Sequence, residues 1–229
     1  YGFDAPVPGH PGPESRDLNR SPTDRTSATR RGAAIIARST PTPTDMNAAS
    51  PPFADELSAY RQAWPDEAGN VEAFAALAID AVDPYRRERL AGHFTASAFV
   101  VDRGGTRTLL THHRKLDLWL QPGGHADGER DLPAVALQEA REETGLPGLR
   151  LEPGLFDLDR HWIPEHKGVP GHWHYDARYV VRAGEVETFV VSEESHDLAW
   201  RDIAELADDD HADASLRRMA RKWLARNPA

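Results

Sequence analysis

The sequence predicts an α/β fold, and three observations carry that expectation. β-favouring stretches recur on both sides of one strongly signalled helix at residues 131–145. Apolar residues at helical spacing precede the first strand signal, and an amphipathic helix follows the last one. The 229 residues, 39% apolar and 28% charged, have globular composition and leave room for one sizeable domain plus appendages.

Residues 1–45 differ from the rest. Seven of the 18 prolines fall here among Ser, Thr, Gly and Arg, with few large apolar residues. Such a segment cannot bury enough surface to offset its ordering entropy, and it is expected to be a disordered tail. Met46 opens a more ordinary composition. One hypothesis makes it the true start, with the earlier residues coming from an over-extended reading frame or an expression vector; a binding tail is the alternative. N-terminal sequencing of native protein separates the two.

Residues 46–92 read as a helical segment that acts as lid or brace. Phe53, Leu57, Tyr60 and Trp64 recur at helical spacing up to Pro65. Val71, Phe74, Leu77 and Ile79 repeat the pattern up to Pro84, and Arg86 to Leu90 add a turn. The main domain is expected over 93–229. Phe94 to Val101 is a strand, Asp102 to Gly105 a turn, and Thr106 to Thr111 the returning strand of a hairpin. Leu116 to Gln121 alternates apolar and polar residues into a glycine-rich turn, Pro122-Gly123-Gly124. A helix follows, with Asp131 as N-cap, Pro133 in the first turn and Gly145 just past the end before Pro147. Strands are then expected over Leu149–Ile163, Trp173–Arg182, Thr188–Ser192 and Leu198–Trp200, with a helix from about Asp202. From Ala212 onward, Leu216, Met219, Trp223 and Leu224 share one helical face. Arg217, Arg218, Arg221 and Lys222 make the other, expected to be a solvated basic face, with membrane binding as the weaker alternative.

The net charge of −10 argues against general nucleic-acid or anionic-membrane binding, which needs a basic surface. It leaves open a nucleotide whose phosphates are met by metal ions. The absence of cysteine removes disulfide and thiolate chemistry and fits a reducing cytoplasm. No apolar run approaches a membrane-spanning length, and no signal-peptide pattern opens the chain. The oligomeric state is unread, and a homodimer is compatible with the sequence.

The chemistry concentrates between Gly123 and Leu146. Glu139, Glu142 and Glu143 lie three and four residues apart on the predicted helix and are expected to point the same way. Like charges that close need neutralising, and a hard divalent cation with oxygen ligands, Mg²⁺ above all, is the natural partner. The stretch GGHADGERDLPAVALQEAREETGL resembles the Nudix box, a pattern that ends in Arg-Glu, an aliphatic residue, any residue, Glu-Glu, any residue, Gly and an aliphatic residue. Glu139, the Glu142-Glu143 pair, Gly145 and Leu146 are in register. Gln138 replaces the family arginine, and one extra residue separates Glu129 from that position. In the family, that arginine and that acid join loop to helix by an ion pair, which glutamine cannot supply.

The resemblance implies a Nudix-like α/β/α sandwich with a mixed sheet, preceded here by the helical segment. It also implies hydrolysis of a diphosphate linkage in a nucleoside diphosphate derivative, by water attacking phosphorus. Glu142 and Glu143 would bind Mg²⁺, with Mn²⁺ able to substitute. Glu139 would be a ligand or the base that orients water, and the Gly123 or Gly124 carbonyl a further ligand. Two readings stay open: the hydrolase, and a catalytically weak Nudix-fold protein that binds and senses a nucleotide. The isomerase branch of the fold uses a catalytic cysteine, which this chain lacks.

Outside the box, Glu193 and Glu194 lie where some family members place an extra acid; the alternative is a solvated loop. His125 follows the glycines and could meet substrate or a carboxylate. Lys115, in the basic run His112-His113-Arg114-Lys115, could attract phosphate or simply be a solvated strand end. His172 and His174 share a strand face, and His-x-His is a transition-metal spacing, weak as a zinc signal without cysteines. The preferred reading makes them part of a substrate-contacting wall with Trp162, Trp173 and Tyr175 available for base stacking. Asp176 and Arg178 are expected to be structural partners in the same strand. The leaving group is not legible.

Overall fold

Strand β1 (His93–Val101) is the axis of the molecule, buried along its whole length. The computed structural model describes residues 52–114, 117–166, 168–191 and 195–226; the expectations for residues 1–45 and Met46 lie outside these. β1 pairs antiparallel with β2 (Arg107–His113) through Val100 and Val101, and with β4 (Gly123–His125) through Thr95 to Ser97. The short β3 (Leu118–Leu120) runs along β2, so one edge of β1 is shared by two neighbours. The other edge pairs in parallel with β6 (His172–Arg182), which pairs antiparallel with β5 (Arg150–Ile163); β7 (Ser195–Asp202) adds to β2. The seven-stranded sheet is therefore mixed.

Helices cover both faces of this sheet. On one lie α1 (Phe53–Ala63), α2 (Ala68–Ala78) and α3 (Leu132–Thr144), packed over Phe94, Ala96, Ala98 and Val100 of β1. On the other, α4 (Ile203–Asp208) and α5 (Ala214–Arg226) bury Phe99, Val101, Phe156 and Val180. The alternation of β1 sends its even-numbered residues to the first core and its odd-numbered residues to the second. The fold is thus an α/β/α sandwich with a helical segment ahead of the sheet, as expected. Helices α1 and α2 share their core with the sheet. Among the described residues, no helix is long and apolar enough to cross a membrane.

Five local expectations are corrected. Gly123 and Gly124 form a strand rather than a turn, because β1 offers them a free edge and neither carries a side chain to keep it away. Residues 188–191 are not a strand: among the described residues no strand pairs with them, and Val190 N–H instead donates to the carbonyl of Thr144 at the end of α3, 2.8 Å away. Ile79 ends α2 facing solvent, and Leu224 is partly exposed on α5. Lys222 is buried rather than solvated, its ammonium 2.7 Å from Asp157 and 4.8 Å from the Trp64 ring centre. Apolar periodicity alone does not show which basic residue a neighbouring carboxylate will draw inward.

Candidate active site and a histidine cluster

The box helix is held at both ends by the expected residues. The Asp131 carboxylate accepts from Ala134 N–H at 3.1 Å, and Gly145 caps the C-terminus at φ 63°. Leu132, Val135, Ala136 and Ala140 bury the inner face, so α3 stays in register over β1. That register brings two of the three box carboxylates to β4. Gly123 N–H donates to Glu143 Oε1 at 2.9 Å, and Glu143 is only 9% exposed. Glu139 lies over Gly124 so closely that an added Cβ there would come within 2.5 Å of the Glu139 Cδ. A Cβ on Gly123 would reach 2.9 Å from the Cα of Ser97 in the next strand. Both glycines are therefore steric requirements. Glu142 is exposed, and its carboxylate accepts from Gln138 Nε2 at 2.8 Å.

The extra residue before the helix is absorbed in the loop. Glu129 Oε1 accepts from Asp131 N–H (2.9 Å) and Arg130 N–H (2.7 Å), which hold its carboxyl below the usual glutamate range. Asp127 (φ 49°) and Gly128 (φ 95°) turn the chain, and Arg87 forms an ion pair with Asp127. Gly128 N–H donates to the carbonyl of Tyr85 at 2.7 Å. The loop is thus braced by residues 85–87, not by a partner at position 138. Composition around residue 87 carried no signal of this.

Glu193, Glu194 and Lys115 lie outside the described residues. The structure divides the remaining substrate-contact set between the two faces of the sheet. Trp162 and Trp173 meet edge to face at 5.3 Å between ring centres, with Arg160 over Trp173 and Tyr175 against Phe74 of α2. His172, His174 and His125 are on the opposite face, because successive strand residues alternate.

There they meet a residue that the sequence did not mark. His93 opens β1 directly beside His174 of β6, and His125 ends β4 opposite Thr95. Each of His93, His125 and His174 offers a nitrogen, and these three atoms all lie within 4.8 Å of one another. His93 is 1% exposed; its Nδ1 lies 3.3 Å from the Arg89 carbonyl, and its buried Nε2 has no hydrogen-bond partner among the described residues. His172 Nε2 is 3.2 Å from His174 Nε2, and its Nδ1 donates to the Pro170 carbonyl at 2.8 Å. His161 Nδ1 contacts Asp159 at 3.0 Å. Burial, then the Arg87 charge and the neighbouring His93, push His125 down to about 4. Burial, then His125 and His93, push His174 further down. His93 is likewise pushed down by its burial, so the lowered values of His93, His125 and His174 favour the neutral imidazole.

Beneath the histidines runs a charge network. Asp176 accepts from Thr95 Oγ1 (3.0 Å), Ser97 Oγ (2.8 Å) and Arg178 Nε (2.7 Å). A register shift in β5 before Asp157 sets it beside the Arg178 guanidinium, at 3.4 Å. Asp157 is also held by Arg218 and Lys222 of α5. Asp176 and Arg178 are therefore structural partners, as expected.

The architecture and the carboxylates gathered on a glycine-paired strand define a class: an α/β/α sandwich with an acidic helix packed over β1 and β4. The model of the NUDIX domain matches residues 92–223, more than half of the chain, and the protein belongs to that family. Similar solved structures include a NUDIX-family hydrolase from Clostridium perfringens, 22% identical, covering 58% of this chain and 97% of its own, with a TM-score of 0.47. A MutT protein from Methanosarcina mazei Go1 is 17% identical, covering 60% and 96%, with a TM-score of 0.48. A C. elegans Ap4A hydrolase is 18% identical over 58% and 96%, with a TM-score of 0.47. Among curated proteins, none matches the sequence. The family assignment rests on the domain match.

Proposed function

We propose that this protein is a Mg²⁺-dependent hydrolase that cleaves a diphosphate linkage in a small nucleoside diphosphate derivative, with water attacking phosphorus. The observation that carries this is the seating of Glu139 and Glu143 on the tandem glycines of β4, where an added Cβ would strike the Glu139 carboxylate. A buried and a half-buried carboxylate brought to one short strand, the first held by a backbone amide, are an all-oxygen donor set, which suits a hard divalent ion. Glu139, Glu142, Glu143 and a carbonyl of Gly123 or Gly124 would hold Mg²⁺, with Mn²⁺ able to substitute. When bound, the ion supplies neutralisation of the diphosphate charge and a lowered pKa for water.

The chain's own contribution is placement. Gly123 N–H fixes the Glu143 carboxylate, and the missing side chain at Gly124 leaves room for that of Glu139. Glu142 has to leave Gln138 to join them, and a neutral amide releases it more readily than a guanidinium would. Glu139 is the base or a ligand; Glu193 or Glu194 is a further acid proposed from the sequence. Trp162 and Lys115 are proposed substrate contacts; His125, His172 and His174, read from the sequence as part of the same wall, lie on the sheet face opposite the box helix, and a cytoplasmic setting belongs to the same reading.

The Gln138–Glu142 bond also favours a second reading, a nucleotide sensor whose third carboxylate stays disengaged. Product release from a panel of nucleoside diphosphate derivatives, with and without Mg²⁺, separates the two. Under the hydrolase reading, Glu143→Gln lowers turnover by ~10²–10³-fold, the scale of losing one preorganised electrostatic group. Activity untouched by that change refutes the mechanism, and binding without turnover in the unaltered protein favours the sensor.

A further inference from the structure

The histidine face is not explained by chemistry at the box carboxylates. We propose that His93, His125 and His174 form a separate transition-metal site of the Zn²⁺ class, on the sheet face opposite the box helix. Three strands build it. β1 and β6 run parallel with His93 beside His174, and β4 brings in His125 from the other edge of β1. The three donor nitrogens already lie within 4.8 Å of one another on paired strands. An ion held by them would lie at about 2.0–2.1 Å from each nitrogen.

Two observations separate this cluster from ordinary core histidines. A carbonyl oxygen can only accept, so the contact with Arg89 places the His93 proton on Nδ1 and leaves a lone pair on Nε2. That Nε2 is buried with no partner among the described residues, a costly state in an apo interior and the state a metal ligand requires. The remaining imidazoles are arranged as supports: His172 sits against His174 with its own Nδ1 committed to the Pro170 carbonyl. Three imidazoles without carboxylate favour a borderline ion over Mg²⁺, which prefers oxygen. Gly124, between Gly123 and His125, turns toward Glu139, so the two sites lie back to back across one short strand. Three protein ligands leave a fourth position for water or a substrate group.

The test uses the full chain stripped by chelator and titrated with Zn²⁺ alone, then with Co²⁺ as a spectroscopic probe, both in saturating Mg²⁺ so that carboxylate sites are filled. One equivalent of Zn²⁺ per chain is expected to bind despite the Mg²⁺. The Co²⁺ form should show the intense visible bands of a four-coordinate nitrogen site. His93→Gln and His174→Gln should weaken Zn²⁺ binding by more than the roughly 10–100-fold that losing a supporting partner costs a metal site. His125→Asn, at a half-buried strand end, serves if the more buried variants misfold, with circular dichroism confirming the fold. Glu139→Gln should leave Zn²⁺ affinity unchanged. Absence of a bound equivalent overturns the proposal, as does binding that survives the histidine changes or disappears with Glu139→Gln. Because the readout is metal affinity and not turnover, failure here is distinct from failure of the hydrolase reading.

Discussion

The two faces of the sheet bury charge in opposite ways. On the side of α3, the buried Glu56 has the neutral Tyr179 hydroxyl as its hydrogen-bond partner at 2.9 Å, and the core around it is apolar. On the side of α5, Asp157, Asp159 and Asp176 are matched by Arg178, Arg218 and Lys222 within one network. The first arrangement raises a carboxyl's pKa; the second sets each carboxylate against a cation, and against its burial the His161 hydrogen bond, together with Arg178 and Arg218, holds Asp159 below the usual aspartate range. The lesson is that the catalytic proposal and the histidine site stand on different foundations. The acidic helix rests on hydrophobic packing and steric room at two glycines, whereas the histidines rest on a paired ionic platform.

The largest effect should come from breaking that platform. Arg178→Met leaves Asp176 buried without its cation and should destabilise the fold by ~3–5 kcal/mol. Urea denaturation measures it, and a loss within experimental error would show that Arg218 and Lys222 carry the network alone. On the other face, Gly124→Ala should lower turnover by ~10²-fold, because the new methyl displaces the Glu139 carboxylate. Its melting temperature should stay close to that of the unaltered protein, since the atom in the way is the end of a flexible side chain. Gly123→Ala should instead lower the melting temperature, because its Cβ meets the backbone of β1. Equal thermal losses in the two variants would break the distinction.

The smallest effect concerns Glu56. Burial raises its carboxyl to about 7, while the Tyr179 hydroxyl opposes the shift and the Asp131 charge adds to it. The folded value lies above the unfolded one of 4.5, so the unfolded chain ionises first as pH rises. The fold therefore loses stability between pH 4.5 and about 7 from this group. Glu56→Gln should melt higher than the unaltered protein at pH 8, with the gap shrinking toward pH 5. A gap that is constant with pH would show that Glu56 does not titrate in this window.

Much of the α3 face was legible because its signals are local. Asp131, Pro133 and Gly145 mark a helix by backbone geometry that their own types impose, and the glutamates follow by helical spacing. The strands of the hairpin and of residues 150–182 were legible for the same reason, through alternation and turn chemistry. The apparent strand at 188–191 failed because alternation states a preference, while a strand also needs a free edge to pair with. Ile79 failed because the periodic pattern ran one residue past the end of α2.

By itself, then, the sequence determined the sandwich, the helix that carries the acids and the family, since each depends on residues close together along the chain. Only the tertiary structure decided that Glu142 stands apart with Gln138, that Arg87 braces the loop through Asp127, and that Lys222 is drawn inside. It alone brought His93 to His125 and His174, residues 32 and 81 positions away. Strand register sets those contacts, and register is a property of paired strands that no single stretch of chain contains.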